Sequence, residues 1–294
     1  MTYRPGASLT TATTLGYADT ADLGPTAGNG FRTRWPDDLA ALQQQGLTDV
    51  RITLDWARLQ PKPGTVDEHW VELFEQVLQA ADAIGLRPWA CLHDGSTPRW
   101  FDNDGGFDDG ENFTTWWPRW VERAAERLGD LVGGWIPFAC LPEGAPDQPW
   151  VDTWGILAGG PPVVASIGGD DIGPLGGRFD LAGVALAADW TTDAVVGERQ
   201  LAAASDRWGT RLREIADAAG TGLVVPGFTA GHDDGDTAGE IVATLRSVLD
   251  EATDDGVPID VAFVEPGIAG PDSPPSLLDQ DRAPTASCVA FLGT

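Results

Sequence analysis

Short apolar runs bounded by Gly and Pro alternate along this chain with longer stretches whose apolar residues recur every three or four positions. The first pattern suits strands buried on both faces, as in a parallel sheet. The second suits helices with one apolar stripe. Eight runs read as strands: Ala7–Leu15, Asp49–Trp56, Arg87–His93, Gly134–Leu141, Pro161–Ile167, Leu181–Ala187, Gly222–Phe228 and Pro258–Glu265. Three helices stand out between them. Asp67–Ile84 carries Trp70, Leu73, Phe74, Val77, Leu78 and Ala81 on one face. Phe113–Leu128 carries Trp117, Trp120, Val121, Ala124 and Leu128, and Asp236–Thr253 carries Ile241, Leu245, Val248 and Leu249. Further helices are expected at Pro36–Gln45 and Arg199–Ala219.

Eight strands with intervening helices predict an α/β fold, a single (β/α)8 TIM barrel. Glu143–Gly177 is rich in Gly and Pro, so the outer helices after strands 4 and 5 are expected to be short or missing. Residues 1–270 are assigned to the barrel and 271–294 to a Pro-rich C-terminal tail. That tail ends in the apolar patch Cys288–Leu292, which either covers the barrel bottom or is loosely held.

Composition narrows the partners. Hydrophobic residues make up 42% of the 294 positions, enough for a full core. The formal net charge is -27, spread along the chain, and such a surface repels phosphate backbones. Nucleic acid is therefore not an expected partner, and no apolar stretch approaches membrane-spanning length. Met1-Thr-Tyr-Arg-Pro-Gly has no basic segment followed by an apolar run, so no signal peptide is expected. The three cysteines are odd in number and lack metal-ligand spacing, which suits a reducing cytoplasm. His93, His69 and His232 are scattered, so neither a metal site nor a cofactor is expected, and His69 and His232 read as surface residues.

Four segments carry a more specific signal. Arg34-Trp-Pro-Asp-Asp-Leu opens the first helix, and Arg51-Ile-Thr-Leu-Asp-Trp-Ala-Arg-Leu-Gln-Pro61 follows on the second strand. Leu92-His-Asp-Gly-Ser-Thr-Pro-Arg-Trp-Phe101 closes the third strand, and Gly129-Asp-Leu-Val-Gly-Gly-Trp-Ile-Pro-Phe138 approaches the fourth. In order and spacing these segments resemble the motifs of glycoside hydrolase family 1, the β-glucosidase family. Past Pro142 the likeness thins to Phe179-Asp-Leu-Ala-Gly-Val, Leu212–Val225 and Asp255-Gly-Val-Pro-Ile259.

The resemblance implies a retaining β-glycosidase site at the C-terminal mouth of the barrel. Such a site needs two carboxyl groups about 5–5.5 Å apart, one a nucleophile and one an acid/base. Laid over the family's W-x-T-F-N-E-P, this chain has Ala139 at the Asn position and Cys140 at the acid/base position. Laid over V-T-E-N-G, it has Gly227 at the nucleophile position. A thiol, with a pKa of about 8.5, protonates an alkoxide poorly, and glycine cannot form a glycosyl ester. The second His of the family's L-H-H is Asp94, and the last-strand Trp position is Glu265.

Two functional readings follow. In the first, the chain is a catalytically degenerate pseudo-β-glycosidase that keeps a carbohydrate-binding or regulatory role. In the second, an active O-glycosyl hydrolase uses relocated carboxylates, with Glu143 and Glu265 as candidates. Against the second, the more ordinary reading makes Glu143 a solvated loop residue and Glu265 a partner of Arg51. A third reading is non-glycosidic chemistry with Cys140, helped by His93, as nucleophile, set against the commoner role of a small buried residue. Arg51, His93, Asp94, Trp100 and Trp190 are the substrate-binding candidates. Arg51 has lost its usual partner, so Glu265 or Asp94 is expected beside it. The more ordinary reading of His93 is structural, a hydrogen bond that fixes the strand-three loop. Trp100 and Trp190 offer aromatic faces near strand ends for a carbohydrate or glycoside ligand.

Overall fold

The computed structural model describes residues 3–10, 28–139, 148–167, 177–186, 190, 195–270 and 275–293. Eight parallel strands follow one another as β1 (Arg4–Leu9), β2 (Asp49–Thr53), β3 (Arg87–His93), β4 (Gly134–Phe138), β5 (Val164–Ile167), β6 (Leu181–Val184), β7 (Leu223–Phe228) and β8 (Ile259–Val264). They hydrogen-bond in the order β4-β3-β2-β1-β8-β7-β6-β5. A parallel bridge between Trp135 and Val163 joins the two ends, so the sheet closes into the expected single (β/α)8 barrel.

The helices are α1 (Phe31–Gln44), α2 (Trp56–Leu59), α3 (Glu68–Ala83), α4 (Arg99–Asn103), α5 (Gly110–Leu128), α6 (Gln148–Leu157), α7 (Glu198–Ala219), α8 (Gly235–Asp254) and α9 (Ala286–Leu292). Acidic side chains start several of them. Asp55, Asp67, Asp109 and Asp234 each accept a backbone N–H as the N-cap of α2, α3, α5 and α8. The apolar stripes face the barrel, with Phe74, Val77, Leu78 and Ala81 of α3 fully buried. Removing each large side chain from water contributes about 1.5–3 kcal/mol.

The helix after β4 is short as expected: α6 has 10 residues against 19 in α5, with Pro149 in its first turn. Residues 168–176, between β5 and β6, lie outside the described set. The C-terminal segment supplies the helix after β8. Cys288, Phe291 and Leu292 of α9 are buried in the main core, and α9 packs on α8. Arg282, at φ 67, reaches back with Nε 2.6 Å from Asp38 Oδ1 on α1.

Strand 1 corrects an expectation. It runs from Arg4 to Leu9, not from Ala7 to Leu15. Pairing sets this register: Arg4 faces Val261 of β8, and Leu9 faces Ile52 of β2. Residues 11–27 lie outside the described set.

Side chains alternate between the barrel interior and the helical layer. Trp89, Ile136, Val164, Val224, Val261 and Phe263 form a separate interior cluster at the lower end. Gly134 is required beside it, because a Cβ there would stand 2.3 Å from the Trp89 ring. The Trp89 indole donates to Asp49 Oδ1 at 2.7 Å, and Arg4 Nε lies 3.0 Å from Asp49 Oδ2. Above this floor the inward positions turn polar: Ser8, Arg51, Thr53 and His93 are all buried.

Candidate active site at the barrel mouth

Arg51 stands in the middle of β2 and points into the barrel, where its side chain is 1% exposed. Nη2 donates to Glu265 Oε2 at 2.5 Å, and Nη1 donates to the Pro226 carbonyl at 2.5 Å. Of the two acidic partners expected for it, Glu265 makes the ion pair. Burial alone would lower the Arg51 pKa. The Glu265 carboxylate, with Cys91 and Asp94 nearby, outweighs this and holds the guanidinium above its ordinary value.

Glu265 follows β8 immediately. Its N–H donates to Phe228 O at 2.7 Å, which ties it to the end of β7. Oε2 also accepts from Ser8 Oγ on β1 at 3.4 Å, and the side chain is 28% exposed. Both of these bonds fall on Oε2; among the described residues none is made to Oε1.

Gly227 lies where the β7–β8 register shifts between Val225 and Phe228. Pro226 brings no N–H to the ladder, and its carbonyl turns inward to Arg51. A Cβ on Gly227 would meet Glu265 Oε2 at 2.6 Å and Arg51 Nη1 at 2.7 Å. The first side-chain position of residue 227 is thus already filled by the ion pair.

His93 ends β3 inside a ring of Phe107, Trp117 and Phe138, with ring centroids 5.3, 6.4 and 5.7 Å away. Nδ1 accepts from Gly95 N at 3.3 Å, which puts the proton of the neutral ring on Nε2 and fixes the turn after β3. Burial pushes its pKa down to about 4, against the opposing charge of Asp94. Near neutral pH the ring is uncharged, a donor at Nε2 and not a cation. Asp94 is half-buried and accepts from Ser96 Oγ at 2.8 Å.

Asp55 was not singled out from sequence. It caps α2, lies 2.7 Å from Arg58 Nε, and is pushed up to about 6, first by burial and further by Asp94. Cys91, beneath His93, is no nucleophile: burial raises its thiol to about 12. Ser8 was missed as well, although its inward alternation on β1 points to the Glu265 carboxylate.

Trp100 is half-buried, donates to Gln60 O at 2.9 Å, and meets Trp56 and Trp116 edge-on. Trp190 is half-buried and donates to Ala230 O at 3.3 Å, beyond β7. Both indole N–H groups are therefore used on the backbone, which leaves ring faces for any further contact. Trp117 and Trp120 are core residues, as their spacing predicts. His232 is buried, not on the surface, and its Nδ1 accepts from Asp234 N at 3.0 Å at the start of α8. Cys140 and Glu143 lie outside the described residues. Among the described residues no cluster of metal-ligand type occurs, and no helix is long and apolar enough to cross a membrane.

Comparison with known proteins agrees with this architecture. The profile of glycosyl hydrolase family 1 matches residues 18–142. A β-glucosidase from Agrobacterium sp. is 24% identical over 122 residues, which are 41% of this chain and 25% of that protein. The human cytosolic β-glucosidase is 26% identical over 109 residues, 36% of this chain and 23% of its own length. The matched segment thus spans about a quarter of these relatives. A solved family 1 β-glucosidase from Thermotoga maritima superposes with a TM-score of 0.72 at 10% identity, over 98% of this chain and 96% of that one. The chain is β-glucosidase-like in its first half and shares the barrel fold throughout.

Proposed function

We propose that this barrel binds glycosides at its mouth and does not hydrolyse ordinary O-glycosides. The observation that carries this reading is the crowding at Gly227. The family-like nucleophile position has no side chain, and the ends of Arg51 and Glu265 occupy the space at its root. Cys140, at the family-like acid/base position, supplies no carboxyl group either. Neutral His93, Asp94 and the faces of Trp100 and Trp190 are the groups through which a sugar would be held. The names of the relatives, β-glucosidases among them, favour a β-linked sugar. The net charge of -27 favours a neutral sugar over a phosphorylated one. Cys91 and Cys288, free and buried, support a cytoplasmic location.

The test pairs binding with turnover. Ligand-observed NMR with glucose, cellobiose and lactose should show contact with the protein. A coupled assay should detect no glucose released from the disaccharides beyond the heat-treated control. Steady release of glucose would sink the reading.

A further inference from the structure

We infer that Glu265 is a relocated nucleophile, whose Oε1 forms a glycosyl ester with glycosides whose leaving group departs without a proton. This rests on the glycoside-binding reading above and assigns it a substrate class: glycosides of acidic alcohols, such as nitrophenols, and of carboxylic acids.

Three observations converge on Glu265. Its Oε2 takes up the space at the root of residue 227, so a carboxylate has reached this place from β8 instead of β7. Arg51 and Ser8 both hold Oε2, which fixes the group and leaves Oε1 as the oxygen without a protein partner among the described residues. The side chain keeps 28% exposure while Arg51 beneath it keeps 1%, so the carboxylate meets solvent from the mouth side. An anchored carboxylate with one oxygen held and one uncommitted has the form a covalent catalyst needs.

The bonds balance without a general acid. Oε1 attacks the anomeric carbon and a C–O ester bond forms. The glycosidic C–O bond breaks, and its electron pair leaves on the phenolate or carboxylate. Water then attacks the same carbon and displaces Glu265 as carboxylate, and the water proton passes to solvent. With no carboxyl group at the acid/base position to activate that water, the second step is slow and the ester accumulates.

The experiment uses the intact wild-type chain. The probes are dinitrophenyl β-glycosides, of glucose and of galactose configuration, whose sugar carries fluorine next to the anomeric carbon. The fluorine slows ester hydrolysis, while dinitrophenolate still leaves readily. The expected result is one equivalent of dinitrophenolate released in a burst, a mass increase of one fluorosugar, and peptide mapping that puts it on Glu265. An adduct on any other residue overturns the inference. So does the absence of an adduct from a protein that still binds glucose by NMR, and then the binding reading survives alone. If neither adduct nor binding is seen, both fail. A Glu265→Gln variant that folds, as judged by its thermal melt, should lose the burst; a burst retained there overturns the inference. If that variant does not fold, the mapped wild-type adduct decides.

Discussion

Glu265 Oε2 stands 2.6 Å from the point that a Cβ on Gly227 would occupy. Two strands thus compete for one volume, and the carboxylate from β8 holds it. Gly227→Ala should cost about 1–3 kcal/mol of stability, the usual penalty for overpacking. In a Glu265→Ala background the same change should cost less, because one of the two clashing groups is gone. Denaturant unfolding of the four proteins gives the coupling, expected to exceed about 0.5 kcal/mol. Additive losses would mean that the two residues do not crowd each other.

The Arg51–Glu265 pair is lopsided, with 1% and 28% side-chain exposure. Removing the carboxylate strands a buried guanidinium, and Glu265→Met should cost about 3–5 kcal/mol. Arg51→Met leaves a carboxylate that water can reach, so its cost should be smaller. The double Met variant should be more stable than Glu265→Met alone. Chemical denaturation ranks the three, and equal losses in the single variants would contradict the burial difference.

Two mouth residues pull stability in opposite directions with pH. His93 titrates at about 4 in the fold against an ordinary 6.5. Between these values the unfolded chain holds more protons. The His93 contribution is therefore complete above 6.5 and is lost as pH falls toward 4. Asp55 titrates at about 6 against an ordinary 3.8. Its contribution is complete below 3.8 and is lost as pH rises through about 6. Each slope approaches about 1.4 kcal/mol per pH unit, so in the wild type they largely cancel between about 4 and 6. Asp55→Asn should uncover stability that rises with pH in that window, and His93→Gln stability that falls. Denaturation midpoints at half-unit pH steps check both, and parallel curves for all three proteins would reject the assignment.

Asp38 has no exposed side-chain surface, and Arg282, from the C-terminal segment, lies 2.6 Å away. Arg282→Ala should cost about 3–5 kcal/mol, since it leaves a buried carboxylate without its cation. Arg213 pairs with Asp255 at 47% and 59% exposure, and Arg213→Ala should cost about 0–1 kcal/mol. Thermal melts of the two variants, side by side, test whether the C-terminal segment is clamped to α1.

Much of the scaffold was legible because its signals are local. Strand β3 covers the span its unbroken apolar run predicts, Arg87–His93. Helices α3 and α5 follow stripes set by residues three and four apart. Strand β1 departs from its expected span because only pairing with β2 and β8 makes Arg4 and Pro5 part of a strand. The site was legible in part. A buried Arg51 demands an acid, which named Glu265 in advance as one of two candidates. That its carboxylate fills the space at Gly227 depends on the distance across β7 and β8, which no local pattern encodes. The Arg282–Asp38 clamp joins residues 244 positions apart and left no sequence signal.

The floor formed by Trp89, Phe263 and the Asp49–Arg4 pair makes the barrel a cup instead of a tube. Solvent therefore reaches the Arg51–Glu265 pair from one end of the barrel only, and the guanidinium lies on the closed side of the carboxylate.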